Sequence, residues 1–141
     1  MIILDTNVIS ELMRPVPDAS VLHWLSAQPA GVIHVTTISY AEILFGLHVM
    51  PDGRRRQLLT DQANSMFLED FAGRILHFDM AAAPAYATIV GTRRLAGQPL
   101  HPIDGMIAAI AHAHGAAVAT RDSDLSDCGV PVVNPWTAAS I

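Results

Sequence analysis

The chain of 141 residues contains no lysine, so all 8 of its basic residues are arginines. Chemistry that depends on a lysine to steady a phosphate is therefore closed to it. Cys128 is the single cysteine, so no internal disulfide can form. That usage fits a cytoplasmic setting. Only 15% of the residues are charged, yet 51% are hydrophobic, which excludes a disordered chain. No apolar run is long enough to span a membrane. The N-terminus has no basic segment before its apolar run, which is too short for a signal peptide. The seven histidines show no ligand spacing: His112 and His114 stand two apart on an expected helix and face different ways, which disfavours zinc. No repeat, linker or low-complexity stretch interrupts the sequence, and residues 1–141 read as one domain.

With 13 acidic residues the formal net charge is −5. A protein that coats nucleic acid would be basic. An enzyme acting on nucleic acid is not excluded, because a metal-binding acidic site lowers net charge without forbidding local basic patches.

What is present is an alternation of short apolar runs with longer helical patterns. Ile2 to Leu4, Gly31 to Val35, Ile75 to Phe78, Ala117 to Ala119 and Val130 to Val133 read as strands. Helices are expected over Thr6 to Met13, after a capping Asp18, and over Ile38 to Met50, Arg54 to Phe71, Met80 to Leu95 and Pro102 to His114. Pro84 fits within the first turn of its helix. Pro51-Asp52-Gly53 is a turn, and Gly115 stops the last helix. Strands alternating with helices imply right-handed crossovers and an α/β fold: a central parallel sheet of four to five strands flanked by helices in three layers.

Four acids stand where the pattern makes a carboxylate awkward. Asp5 ends the first strand, Glu42 interrupts an apolar helix, Asp104 opens the Ala-rich helix, and Asp122 follows the fourth strand. Each has a plainer reading: a helix cap for Asp5 and Asp122, a first-turn acid for Asp104, a solvated face for Glu42. Together they say more. Strand ends and helix starts of a parallel sheet share one edge, where ligands bind. Carboxylates gathered there repel one another unless a cation relieves them. An all-oxygen set without Cys or paired His points to Mg2+ or Mn2+, an ion able to activate water against a phosphodiester. Thr6, Asn7, Ser39 and Thr120 supply neutral hydrogen-bonding groups beside the acids.

These residues resemble a PIN-domain ribonuclease of the VapC or FitB-like toxin type. The resemblance rests on Leu4-Asp5-Thr6-Asn7, on Ile38-Ser39 with Glu42 and Gly46, on Asp104 heading an Ile/Ala-rich helix, on Thr120-Arg121-Asp122, and on Asn134-Pro135-Trp136. The motifs run in order across almost the whole chain. The resemblance implies a PIN-like fold and an acidic pocket in which Asp5, Glu42, Asp104 and Asp122 bind Mg2+ or Mn2+. It implies metal-dependent endonucleolytic cleavage of RNA with water as nucleophile. It also implies a homodimer and a small DNA-binding antitoxin whose tail occupies the toxin's groove. Asp124 competes with Asp122 as the fourth acid, and the Thr-Arg-Asp motif favours Asp122. Gly105 follows Asp104 where many relatives carry Ala, and is expected only to weaken the helix start.

Arg54-Arg55-Arg56 is the one basic run, suited to RNA phosphates, to an acidic partner segment, or simply to solvent. Arg121 is expected to pair locally with Asp122 or to touch a phosphate. Trp24 and Trp136 read as packing residues, Trp136 anchoring the C-terminal end. Among competing functions, an aspartyl-phosphate phosphatase would need a second Asp where Asn7 stands, and a lysine. A phospho-acceptor receiver domain would need a lysine and an acceptor Asp on a middle strand. A PIN fold that binds RNA or protein without cutting is disfavoured by the intact set of acids.

Overall fold

The computed structural model describes residues 1–138. Five strands form one sheet: β1 (Ile2–Leu4), β2 (Ile33–Thr36), β3 (Ile75–Leu76), β4 (Ala117–Ala119) and β5 (Val132–Val133). The order is β3-β2-β1-β4-β5, and every pairing is parallel. The helices are α1 (Thr6–Leu12), α2 (Ala19–Ser26), α3 (Thr37–His48), α4 (Arg54–Ser65), α5 (Ala82–Leu95) and α6 (Pro102–Ala113).

The central strand explains the layering. Ile2, Ile3 and Leu4 are consecutive apolar residues because β1 is covered on both faces. Side chains alternate across a strand. Leu4 joins one core with Val8 and Ile9 of α1, Val21 of α2, Val35 of β2, Ile43 of α3 and Phe67 beyond the end of α4. Ile3 joins another with Val118, Ile107, Ala108 and Ile110, under α5 and α6. The chain builds outward from β1 through β2 to β3, then returns to place β4 on the other side of β1. This reversal opens a crevice beyond the strand ends, between β1 and β4. Asp5 and Thr120 follow those two strands directly, and α1, α3 and α6 start at the same edge.

Several expected boundaries move. β3 ends at Leu76 rather than Phe78, and β5 begins at Val132 rather than Val130. Pro131 has no N–H for a ladder, and it contributes only its carbonyl, to the Val118 N–H at 2.9 Å. α5 begins at Ala82, where the Asp79 carboxylate accepts from the N–H groups of Ala81 and Ala82, and Pro84 lies in the first turn as expected. The expected helix from Arg54 to Phe71 is α-helical only to Ser65. It then widens into a π turn over Met66–Asp70, which seats Phe67 fully buried with its ring stacked on Tyr40 at 4.3 Å.

Gly105 does more than weaken a helix start. It is buried where α6 meets α5, and a Cβ there would lie 2.5 Å from Val90 Cγ2 and 3.1 Å from Tyr86 Cε2. Gly105→Ala gains about 1 kcal/mol of helix propensity. It also forces a β-branched side chain with one favoured helical rotamer to move, an overpacking cost of about 1–3 kcal/mol. Chemical denaturation should find Gly105→Ala less stable than wild type, and Gly105→Ala/Val90→Ala should recover part of the loss. A stabilised Gly105→Ala would show that α5 gives way freely.

Candidate metal centre

Asp5 is the innermost acid, only 4% exposed. One carboxylate oxygen accepts from the Thr6 N–H at 2.8 Å and caps α1. The other accepts from Thr120 Oγ1 at 2.7 Å and from Asn7 Nδ2 at 3.3 Å. Thr120 is fully used: its hydroxyl oxygen also accepts from Asn7 Nδ2 at 2.9 Å and from the Asp122 N–H at 3.0 Å. This network clamps the ends of β1 and β4 together around one carboxylate. Burial pushes the Asp5 carboxyl above its ordinary value. The hydrogen bonds from Thr120 and Thr6 oppose that rise, and the charges of Glu42 and Asp122 add to it.

Glu42 reaches the same cavity from α3. Its carboxylate accepts from Thr6 Oγ1, which also lies 2.9 Å from Ser39 Oγ. Glu42 is therefore half-buried and held, not turned to a solvated face. Asp104 enters from the first turn of α6, after Pro102 and a capping His101 whose ring Nδ1 accepts from the Ile103 N–H. Asp122 arrives from the segment after β4, where its carboxylate also caps the Ser123–Leu125 turn by accepting from the Asp124 N–H at 2.9 Å.

All four line a cavity of about 510 Å³ together with Thr6, Asn7, Ser10, Glu11, Arg14 and Arg121. Asp124 is exposed and lies outside this lining, which favours Asp122 as the fourth acid. A cavity of about 600 Å³ on the other face, beside α5, contains Asp127 but none of the four acids. Volume alone does not select the site.

The four acids make no salt bridge among the described residues. Among those residues the one ion pair is Arg14–Glu11, at 3.2 Å. Burial pushes Asp104 up to about 6, reinforced by the charges of Asp5, Asp122 and Glu42 and opposed by His101. Asn7 Oδ1 is buried with no hydrogen-bond partner among the described residues, an unmet acceptor that a hydrated cation would satisfy. No three His, Cys, Asp or Glu side chains among the described residues form a ready-made ligand cage. Mg2+ does not require one, because it keeps several waters and takes one or two carboxylates. The donor set fits such an ion.

The Asp104 shift has a measurable sign. A carboxyl that binds its proton more tightly folded than unfolded adds stability below its ordinary value of 3.8, and this is lost as pH rises through about 6. In EDTA, the melting temperature of wild type relative to Asp104→Asn should therefore fall between about pH 4 and 7, with the variant gaining at the upper end. Parallel profiles would contradict the crowding of charge described above.

Of the basic residues, Arg54 and Arg55 border a groove with Met13, Arg14, Pro15, Leu58 and Leu59, and Arg55 also lines the space that includes Thr6 and Glu42. Arg56 turns aside, with Nη1 3.4 Å from the Met50 carbonyl. Arg121 makes no ion pair with Asp122: its guanidinium lies 4.6 Å over the Trp136 ring. The sequence reading missed Glu11, a carboxylate 5% exposed on the cavity wall. Its spacing of four from Asn7 places both on one helix face, a signal that was available.

The PIN domain family matches residues 2–130. The chain is 43% identical over 140 residues to VapC ribonuclease Y4jK of Sinorhizobium fredii, covering 99% of this chain and 100% of that protein. It is 39% identical over 137 residues to Toxin FitB of Neisseria gonorrhoeae, covering 96% and 99% of the two chains. The solved structure of FitAB bound to an IR36 DNA fragment has a chain that superposes with TM-score 0.90 at 38% identity, covering 99% of each. Sequence identity along nearly the whole length and the shared parallel-sheet architecture agree: the chain belongs to the PIN-domain family and is of the VapC and FitB-like type.

Proposed function

We propose that this protein is the toxin of a toxin–antitoxin pair and an endoribonuclease that hydrolyses RNA phosphodiesters with Mg2+ or Mn2+. The observation that carries the reading is the cavity in which four acids converge with no salt bridge to any of them among the described residues, beside an Asn7 Oδ1 that has no partner there. Asp5, Glu42, Asp104 and Asp122 would hold the ion. When bound, it would lower the pKa of water and stabilise charge on phosphoryl oxygens.

The chain's own residues do the rest. Thr120, Asn7 and the Thr6 N–H fix both oxygens of Asp5, and Thr6 and Ser39 fix Glu42. Ligands locked by hydrogen bonds from behind need little reorganisation when charge develops in the cavity. Arg55 and Arg54 lie along the neighbouring groove, where their charge offsets repulsion between the acids and a polyanion. The same groove, with Met13, Leu58 and Leu59 for apolar contact, suits the tail of a small DNA-binding antitoxin. Exposed Phe45 on α3 and Val49 at its C-terminal cap, 70% and 65% accessible, suit a homodimer contact. No helix among the described residues is long and apolar enough to cross a membrane, and a cytoplasmic setting is part of the proposal.

The test is direct. Purified protein freed of any partner should cut single-stranded or structured RNA when Mg2+ or Mn2+ is supplied. Expressed alone in a bacterial host it should arrest growth, and co-expression of a neighbouring antitoxin gene should restore it. Intact RNA after prolonged incubation, together with unimpaired growth, would overturn the reading.

A further inference from the structure

Two arginines line the acidic cavity, Arg14 and Arg121, and they are held in opposite ways. Arg14 is bound to the Glu11 carboxylate at 3.2 Å, so its charge is already matched. Arg121 is exposed, and its side chain has no hydrogen bond or ion pair among the described residues. It is held by the face of Trp136. A guanidinium stacked on an aromatic face keeps its charge and its in-plane N–H donors free.

Trp136 is itself fixed. β5 delivers Asn134-Pro135-Trp136 to the site edge, and the Trp136 N–H donates to Asn134 Oδ1 at 2.9 Å. Its indole Nε1–H donates to Glu11 Oε1 at 3.3 Å, across 125 positions of sequence. A buried carboxylate on α1 thus holds a tryptophan from the far end of the chain, and that tryptophan sets a free guanidinium at the rim of the cavity.

We propose that Arg121 binds a phosphate of the RNA next to the cleaved bond, with Trp136 and Glu11 as its positioning residues. This inference rests on the ribonuclease reading. RNA brings negative charge toward an acidic pocket, and the rim needs a cation whose donors are not already committed. An arginine fork matches two phosphate oxygens.

The test uses the full-length chain and a labelled single-stranded RNA oligonucleotide. Cleavage is followed in Mg2+, and binding is followed in EDTA over a salt series. Arg121→Gln should raise KM about tenfold with a much smaller change in kcat, and should reduce the slope of log affinity against log salt by about 0.7, the value of one phosphate contact on a single strand. Trp136→Leu should shift KM the same way, and Trp136→Phe, which keeps an aromatic face, should recover most of the loss. Arg121→Gln/Trp136→Leu should be no worse than Arg121→Gln alone, because the tryptophan acts through the arginine. A purely structural tryptophan would instead give additive losses. If Trp136→Leu fails to fold, the exposed Arg121→Gln carries the test. Unchanged KM and salt slope in Arg121→Gln, or weakened binding of an antitoxin with RNA unaffected, would overturn the inference alone. A wild-type chain that neither binds nor cuts RNA would overturn the function itself.

Discussion

Asp5→Asn should lower RNA cleavage on the order of 10³-fold or more, equivalent to about 4 kcal/mol of barrier at 1.36 kcal/mol per tenfold. The variant should remain folded. The substitution removes a charge from a position 4% exposed and relieves repulsion from Glu42 and Asp122. It also turns one acceptor into a donor facing Thr120 Oγ1 and Asn7 Nδ2. Both neighbours can adjust. If the Asn7 amide turns over, its Oδ1 can accept from the Thr120 hydroxyl, and the acceptor position this frees on Thr120 Oγ1 can take the introduced amide N–H. The melting temperature in EDTA at neutral pH should therefore match or exceed that of wild type. Asp124→Asn is the control: its side chain is exposed and outside the cavity lining, so its cleavage rate should stay close to wild type, whereas Asp122→Asn should lose most of it. Retained cleavage in Asp5→Asn, or equal loss in Asp124→Asn, would remove the four-acid arrangement as the basis of activity.

The cavity shows which side chains of the candidate site the sequence had already placed together. Asp5 and Asp122 were legible, because a carboxylate that ends an apolar strand has a fixed place in a parallel sheet. Glu42 and Asp104 followed because helix starts share that edge. Glu11 was legible only by face: its spacing of four from Asn7 puts both on one side of α1, but nothing local shows its burial. On a helix of seven residues it reads as a solvent-facing acid, and it is buried by a tryptophan that arrives from the other end of the chain. For Arg121 the sequence left two outcomes open, a local pair with Asp122 or a phosphate contact, and the structure removes the first. Adjacency to Asp122 suggests an ion pair, but Asp122 is extended and its carboxylate is engaged in capping, so the arginine pairs with a ring instead. Gly105 looked like a defect in a helix start, and only the approach of Val90 and Tyr86 reveals a packing requirement. Local pattern carries information about period and sheet edge. It carries none about which distant element closes over a residue, and the burial of Glu11, the stacking of Arg121 and the packing at Gly105 all depend on such closures.

Adding Mg2+ or Mn2+ to chelated protein should produce the second large effect, and it can be read without any RNA. A cation that binds the folded state alone stabilises it by RT ln(1 + [L]/Kd), about 2.7 kcal/mol at a concentration of 100 Kd. For a chain of this size that corresponds to a rise in melting temperature of roughly 5–10 °C. The rise should exceed that of an ordinary surface site, because here the ion also relieves repulsion among acids that make no salt bridge among the described residues. Lower pH should weaken the effect, since the ion must displace the proton that Asp104 holds up to about 6. Asp5→Asn and Asp104→Asn should each lose most of the metal-dependent rise while starting from an equal or higher melting temperature in EDTA. That opposite pairing, more stable without metal and less responsive to it, separates a ligand from a residue that merely supports the fold, whose loss would lower both. RNA cleavage should appear over the same range of metal concentration and vanish in EDTA. A melting temperature indifferent to either cation, or cleavage that persists in excess chelator, would leave the convergence of Asp5, Glu42, Asp104 and Asp122 without a metal role.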